Sequence, residues 1–192
     1  IDMVICNLYP FKSAAEKGVD LSSLIEEIDI GGPSLLRAAS KNHSRVSVVT
    51  DPGDYGWILN EILNGGLTFE QRQQLALKSF RHTAEYDSII QSVLAQRFGE
   101  EELPSSLHLT GIGSPPLRYG ENPHQSSVFY SDLLHSAPSV ANSEQLQGKQ
   151  LSYNNLLDFD AALAIVMEFD DPTAVIVKHN NPCGVASSET LL

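Results

Sequence analysis

Apolar residues along this chain fall in short runs separated by stretches with a helical period, and never in long blocks. Met3–Cys6 is one apolar run and Val46–Val49 a second; both predict buried strands of a parallel sheet. Between them, Ser23-x-x-Glu26 offers a capping box for a short helix. Gly31-Gly32-Pro33 opens another, with proline suited to a first turn. Asp51-Pro52 repeats the start signal, and Gly65-Gly66 stops that helix. Thr68-x-x-Gln71 begins a long helix that sets Ala76, Phe80, Ala84, Ile90 and Leu94 near one face. Strands alternating with helices predict an α/β layer here.

Residues 99–116 change character, with three glutamates, Pro104, Gly111, Gly113 and Pro115-Pro116, which is a linker composition. Beyond it the pattern predicts a loop over 117–125, a short strand over Ser127–Tyr130 and a helix from about Leu156 to Phe169. A buried central strand follows over Thr173–Val177. The expected organisation is two α/β units joined near residue 113. Both chain ends look cut, since Ile1 opens inside a strand-like run and Leu192 follows a helix-start-like Ser-Ser-Glu.

Composition narrows the function class. The 192 residues carry 42% apolar and 19% charged side chains, as a globular chain does, which excludes disorder. Twelve basic against 24 acidic residues give a net charge of −12, which argues against a nucleic-acid-binding face. The excess is uneven: residues 1–100 hold 9 basic and 13 acidic side chains (net −4), and residues 101–192 hold 3 and 11 (net −8). Arg118, Lys149 and Lys178 are therefore the whole cationic supply of the second half. Apolar runs of about five residues fall short of the ~20 that span a bilayer. Two cysteines make no disulfide framework, so a reducing cytoplasmic compartment is expected.

Candidate chemistry lies in four places. Strand 173–177 runs into Lys178-His179-Asn180-Asn181-Pro182-Cys183-Gly184, and ligands of open α/β sheets bind outside strand carboxyl ends. Lys178 could face developing negative charge and His179 could act as a base near neutrality. A solvated strand end with an Asn-Pro turn has the same composition, and spacing alone favours that plainer reading; the scarcity of cations favours function. A zinc deaminase would need H-x-E and P-C-x-x-C. His179 is followed by Asn-Asn, and Cys183 has no second cysteine, so a metal site is rejected.

Leu117–Gln125 is polar and turn-rich. Arg118 could hold a phosphate or carboxylate and Tyr119 could stack on a ring, or the pair could simply belong to a surface loop. Cys6-Asn7-Leu8-Tyr9 follows the first strand, and Asp29-Ile30-Gly31-Gly32 precedes a helix start whose free N–H groups suit an anion. Arg37 and Lys41 share a face of that helix. A cap aspartate, a basic solvent face and a half-packed tyrosine explain these residues equally well.

Taken together, CNLYPF at 6–11, IDIGGPSLLRAASKNHSRV at 28–46, LRYGENPHQ at 117–125, GKQLSYNNLLDFDAA at 148–162 and VIVKHNNPCGVA at 175–186 resemble one family. It is the bifunctional purine-biosynthesis family that joins aminoimidazole-carboxamide ribonucleotide (AICAR) transformylase to inosine monophosphate (IMP) cyclohydrolase. The resemblance implies a partial methylglyoxal-synthase-like (Rossmann-like) cyclohydrolase domain over 1–100, a linker over 101–114, and the start of a cytidine-deaminase-like transformylase domain over 115–192.

By the same resemblance, Lys178 and His179 match the transformylase catalytic pair and Arg118 and Tyr119 match AICAR contacts. Cys6, Asn7, Tyr9, Asp29 and Ile30 match cyclohydrolase substrate contacts, with Lys41 its catalytic proton shuttle. The implied partners are AICAR, formyl-AICAR, IMP and the formyl donor 10-formyltetrahydrofolate, in a homodimer without metal, nucleic acid or membrane. Much of both sites would lie outside these residues, so this polypeptide alone is expected to be inactive. An alternative is a methylglyoxal-synthase-like nucleotide-binding regulatory module without catalysis, which leaves the second set of motifs unexplained.

Overall fold

The computed structural model describes residues 1–99, 108, 110–132 and 137–190. They belong to two compact units, Ile1–Leu109 and Thr110–Leu192. The fold is mixed α/β, with small parallel and antiparallel sheets.

In the first unit, β1 (Met3–Ile5) and β2 (Ser47–Val49) pair in parallel, with Val4 opposite Val48. A parallel pair needs a long crossover, supplied here by α1 (Phe11–Glu16), α2 (Leu21–Glu26) and α3 (Gly31–Lys41). A single 3-10 turn, Pro52–Asp54, then leads into α4 (Tyr55–Leu63), and the thirty-residue α5 (Phe69–Phe98) follows. Only β2 is fully buried; Ile5 of β1 is 56% exposed, so the first apolar run is less covered than its pattern predicts.

Two local signals play out differently. The helix read from Ser23-x-x-Glu26 starts earlier, because the Asp20 carboxylate accepts the Ser23 N–H and both neighbouring hydroxyls, from Ser22 and Ser23. An ionised carboxylate outcompetes a serine as a cap, and those bonds hold the Asp20 carboxyl well below its ordinary value. Thr68 and Gln71 do form the expected capping box, and Gly99 ends α5 at φ 72°, where a side chain would be strained.

The buried seam of α5 is Leu75, Ala76, Ser79, Thr83, Tyr86, Ile89 and Val93. Of the residues predicted for that face, only Ala76 is buried; Phe80 is 39% exposed and Ala84 faces solvent. The seam lies against α3 and β2, where close approach suits small Ser and Thr side chains. A pattern that counts only apolar residues misses them. Thr83 turns its hydroxyl onto the Phe80 carbonyl, which removes the cost of burying it. Phe80 instead takes the Arg37 guanidinium over its ring at 5.8 Å. Leu36, Ala39, Val48, Val49, Ile58, Leu75 and Ala76 make the core. Each large apolar member stabilises by about 1.5–3 kcal/mol through burial.

In the second unit, β3 (Gly111–Gly113) pairs antiparallel with β4 (Tyr130–Asp132). Composition reads 111–113 as linker, but its glycines serve a strand. A Cβ on Gly111 would sit 3.0 Å from the Tyr130 Cβ, and one on Gly113 3.2 Å from its ring. A 3-10 turn, Val140–Asn142, precedes α6 (Tyr153–Val166), which begins three residues before the predicted start. The reason is a capping box formed by Ser152 and Asn155.

The largest difference concerns Thr173–Val177. It is part of β5 (Thr173–Lys178), which folds back on β6 (Asn181–Ser187) as an antiparallel hairpin. β5 alternates half-buried and exposed positions, and β6 is exposed throughout. A continuous run of β-branched residues predicts strand but not how many neighbours cover it. Pro182 is accommodated at a register shift between Ile176 and Val177. Among the described residues, no helix is long and apolar enough to cross a membrane.

Candidate functional site

In the first unit the chain leaving β1 meets the start of α3. The Cys6 N–H donates to the Val49 carbonyl (3.0 Å) and ends the sheet. The Asn7 amide donates to the Thr50 carbonyl (3.1 Å) and accepts from the Tyr55 hydroxyl (3.0 Å), which ties the ends of the two parallel strands to α4. The Asp29 carboxylate accepts the N–H of Gly32 on Oδ1 (2.7 Å) and that of Tyr9 on Oδ2 (3.4 Å).

Asp29 is held from behind as well. Its own N–H donates to the Tyr86 hydroxyl (2.8 Å), which donates in turn to the Glu27 carbonyl (3.1 Å). Tyr86 packs edge-on against Phe11, and burial pushes its phenol pKa up, so it stays the neutral donor this bridge needs. Burial, and secondarily the Asp29 charge, push the Cys6 thiol up too, which favours its protonated form.

Cys6, Asn7, Tyr9, Asp29 and Ile30 thus gather around one corner, with Tyr9 56% and Ile30 76% exposed toward solvent. Lys41 stands further along the same helix. It ends the eleven-residue α3, and at 1.5 Å per residue its Cα lies about 15 Å along the axis from Gly31. The turn after Lys41 is held by Arg72, whose guanidinium donates to the carbonyls of His43, Ser44 and Leu67. Sequence reasoning passed over Arg72, Tyr55 and Tyr86, because each acts through backbone or side-chain partners far away in sequence.

At the carboxyl end of β2, a groove of about 420 Å³ is lined by Thr50, Asp51, Lys78, Arg81 and His82. Lys78 donates to Asp51 (2.7 Å) and Asp54 (2.6 Å) there. Burial works to lower the Lys78 pKa, but its bonds to the two carboxylates outweigh it and the net shift is upward. The Lys78 bond is also the chief cause that lowers Asp51.

In the second unit, loop 117–125 is docked on the start of α6. The Arg118 N–H donates to the Leu151 carbonyl (2.9 Å), the Tyr153 N–H to that of Tyr119 (3.1 Å), and the Asn154 amide to that of Glu121 (3.1 Å). Gln125 closes the loop on itself through Gly120 and Asn122. The Arg118 guanidinium lies 4.9 Å from the Tyr119 ring centroid and donates to its hydroxyl at 3.2 Å. Hydrogen bonds from Ser152 and then Arg118, helped by the Arg118 charge, lower the Tyr119 phenol from its ordinary value.

The same helix holds the other motif. Lys178 pairs with Asn181 across the hairpin, so His179 and Asn180 form a two-residue turn, with φ of 54° and 60°. Both in the left-handed region is what a type I′ turn requires. Two bonds brace it: Asn180 N–H to Asp158 Oδ1 (2.6 Å) and the Asn181 amide to the His179 carbonyl (2.7 Å). Asn154 and Asp158 stand four apart on α6 and so on one face. One helix thereby holds both the loop that carries Arg118 and Tyr119 and the turn that carries Lys178 and His179. Lys178 and His179 stand at a hairpin tip, and not beyond the carboxyl end of an open parallel sheet. Among the described residues no group of three or more His, Cys, Asp or Glu could hold a metal ion.

This is a mixed α/β protein whose polar motifs sit, within each unit, at helix termini and turns. Residues 39–192 match the family described as the AICARFT/IMPCHase bienzyme. The chain is 52% identical over 193 residues to the bifunctional purine biosynthesis protein PurH of Persephonella marina, covering 99% of this chain and 38% of that protein. It is 51% identical to PurH of Bacillus subtilis, over 100% of this chain and 38% of that one. The crystal structure of ForH is 35% identical over 52% of this chain and 50% of that chain, with a TM-score of 0.41. The chain belongs to the AICARFT/IMPCHase bienzyme family, and it spans 38% of the length of the curated relatives named here.

Proposed function

We propose that this chain is part of a bienzyme that completes IMP synthesis. It transfers a formyl group from 10-formyltetrahydrofolate to the 5-amino group of AICAR, then closes the formyl-AICAR ring with loss of water. In this reading residues 1–100 belong to a methylglyoxal-synthase-like cyclohydrolase domain and 115–192 to a cytidine-deaminase-like transformylase domain, joined by 101–114, in a cytoplasmic homodimer. The observation that supports it is the face of α6 that holds both the Arg118–Tyr119 loop and the Lys178–His179 turn.

The chemistry suits these groups. The AICAR amine is a poor nucleophile, because its lone pair is delocalised into the ring and carboxamide. His179 takes its proton as nitrogen bonds to the formyl carbon, and Lys178 faces the oxyanion that forms. Such preorganised charge supplies ~3 kcal/mol. Collapse breaks the bond to the folate nitrogen, which leaves with the proton that His179 returns. Arg118 and Tyr119 hold the nucleotide.

For ring closure, the carboxamide nitrogen attacks the new formyl carbon and water departs, a step that gains chiefly from orientation. Asn7, Tyr9 and Asp29 with Cys6 and Ile30 contact the substrate. Lys41 is assigned the proton transfer from its motif, standing at the far end of α3 from Asp29.

The test is His179→Ala in the full-length bienzyme. Formyl transfer is expected to fall by about 10²–10⁴-fold while ring closure of formyl-AICAR proceeds at its normal rate. A variant that transfers formyl at the normal rate would refute the assignment.

A further inference from the structure

The α6 helix joins the two transformylase motifs through bonds one helical turn apart. Asn154 holds the Glu121 carbonyl, and Asp158, four residues later on the same face, holds the Asn180 N–H. The partner of Asp158 matters because of where it sits. His179 and Asn180 both carry a Cβ, yet both occupy the left-handed region, which residues other than glycine adopt uncommonly, Asn and His more readily than most.

The hairpin supplies part of the restraint on these residues through the Lys178–Asn181 pair that flanks the turn. Of the bonds that brace the turn, the Asn181 amide to the His179 carbonyl is local to the hairpin and moves with it. The Asp158 bond, at 2.6 Å, ties the turn to a helix that also anchors the Arg118–Tyr119 loop. It therefore sets the position of His179 relative to the loop.

We infer that Asp158 is a positioning residue for formyl transfer: its carboxylate accepts the Asn180 N–H and thereby aims His179 at a substrate held by Arg118 and Tyr119. This rests on the assignment of formyl transfer to the Lys178–His179 turn. Asp158 acts through the backbone and needs an acceptor oxygen, not a charge. Its loss frees the turn but leaves the nucleotide loop docked, because the Leu151, Tyr153 and Asn154 bonds are untouched. Misplacement of a reacting group by about 1 Å costs up to ~10²-fold in rate, so the effect belongs in kcat.

The experiment compares Asp158→Ala, Asp158→Asn and the double variant Asp158→Ala with Asn180→Gly in the full-length bienzyme. Kinetics are taken with AICAR and 10-formyltetrahydrofolate. Asp158→Ala is expected to lower kcat for formyl transfer by about 10- to 100-fold. The KM for AICAR should stay within about threefold, and cyclohydrolase activity should be unchanged. Asp158→Asn keeps an acceptor and should stay within about threefold of the unaltered enzyme. Adding Asn180→Gly to Asp158→Ala should recover most of the loss, since glycine enters the left-handed region freely.

The inference is overturned if Asp158→Ala transfers formyl normally, if both activities fall together, or if Asp158→Asn is as impaired as Asp158→Ala and glycine gives no relief. His179→Ala measured alongside separates the two levels. If it retains formyl transfer, the assignment of the turn itself fails. If it loses transfer while Asp158→Ala does not, only the positioning role fails.

Discussion

Tyr9 and Asp29, twenty positions apart in sequence, are joined by a bond from the Tyr9 backbone N–H to Oδ2 of Asp29, whose Oδ1 accepts the Gly32 N–H that opens α3. One carboxylate thus locks the segment leaving β1 to the start of α3. The exposed Tyr9 ring is presented at a corner that backbone bonds hold in place. The same residues that would contact a ligand here are also the ones that build the corner.

Gly32 is the tightest point of that corner. A Cβ there would lie 2.4 Å from the Asp29 Oδ2 and 2.7 Å from the Leu8 Cδ2. Alanine favours a helix over glycine by about 1 kcal/mol, but overpacking at such distances costs about 1–3 kcal/mol and would push Asp29 off its donors. Gly32→Ala is therefore expected to lower the thermal unfolding temperature and to impair ring closure more than formyl transfer. A stabilised variant with normal ring closure would contradict this.

Lys41→Ala should show the reverse of His179→Ala, losing ring closure by about 10²–10⁴-fold with formyl transfer retained. The two rates, followed with AICAR and formyl-AICAR as separate substrates, check it. Because α3 sets Lys41 apart from Asp29, Asp29→Asn should weaken substrate binding without reproducing the Lys41→Ala loss.

Tyr119 should ionise below the ordinary tyrosine range, because hydrogen bonds from Ser152 and Arg118 and the Arg118 charge favour its phenolate. Phenolate absorbance, taken as the difference between the protein and its Tyr119→Phe variant, reads this directly. Arg118→Met should move that titration back upward.

Acid should weaken the tie between α5 and the 51–54 turn. Asp51 has a lowered folded pKa, so its contribution is complete above the unfolded value of about 3.9 and is lost as pH falls through its lowered value. Lys78 is raised, so its contribution is present below the ordinary lysine value and is lost only as pH rises through its folded value. The pair is whole between about pH 5 and about pH 9. With Asp51 and Lys78 side chains 48% and 41% exposed, solvent screening limits the bridge to about 1 kcal/mol. Lys78→Met also removes the bond to Asp54, so it should cost more than this bridge alone at pH 7 and flatten the acid side of a stability–pH curve.

The two thiols should differ in labelling. Cys183 is exposed, whereas Cys6 is partly covered and its thiol is pushed up by burial and by Asp29. Iodoacetamide at pH 8 should modify Cys183 well before Cys6. Faster alkylation of Cys6 would show that the corner is open.

The sequence alone determined the elements whose signals are local. Thr68 and Gln71 cap α5 because both members of that box are within three residues, and Gly65-Gly66 ends α4 because only glycine takes those φ angles cheaply. The motifs around Asn7, Asp29, Arg118 and His179 had plainer readings on local grounds, and only their joint resemblance to one family marked them as site candidates. Tertiary structure decided what local patterns do not encode. It placed Ser79 and Thr83 in the α5 seam, since burial there follows the approach of α3 and β2 rather than side-chain polarity. It turned Thr173–Val177 into half of an exposed hairpin, since strand propensity says nothing of which neighbour pairs. And it gave Asp158 its partner, 22 residues away, in a bond that exists only once β5 and β6 have folded back beside α6.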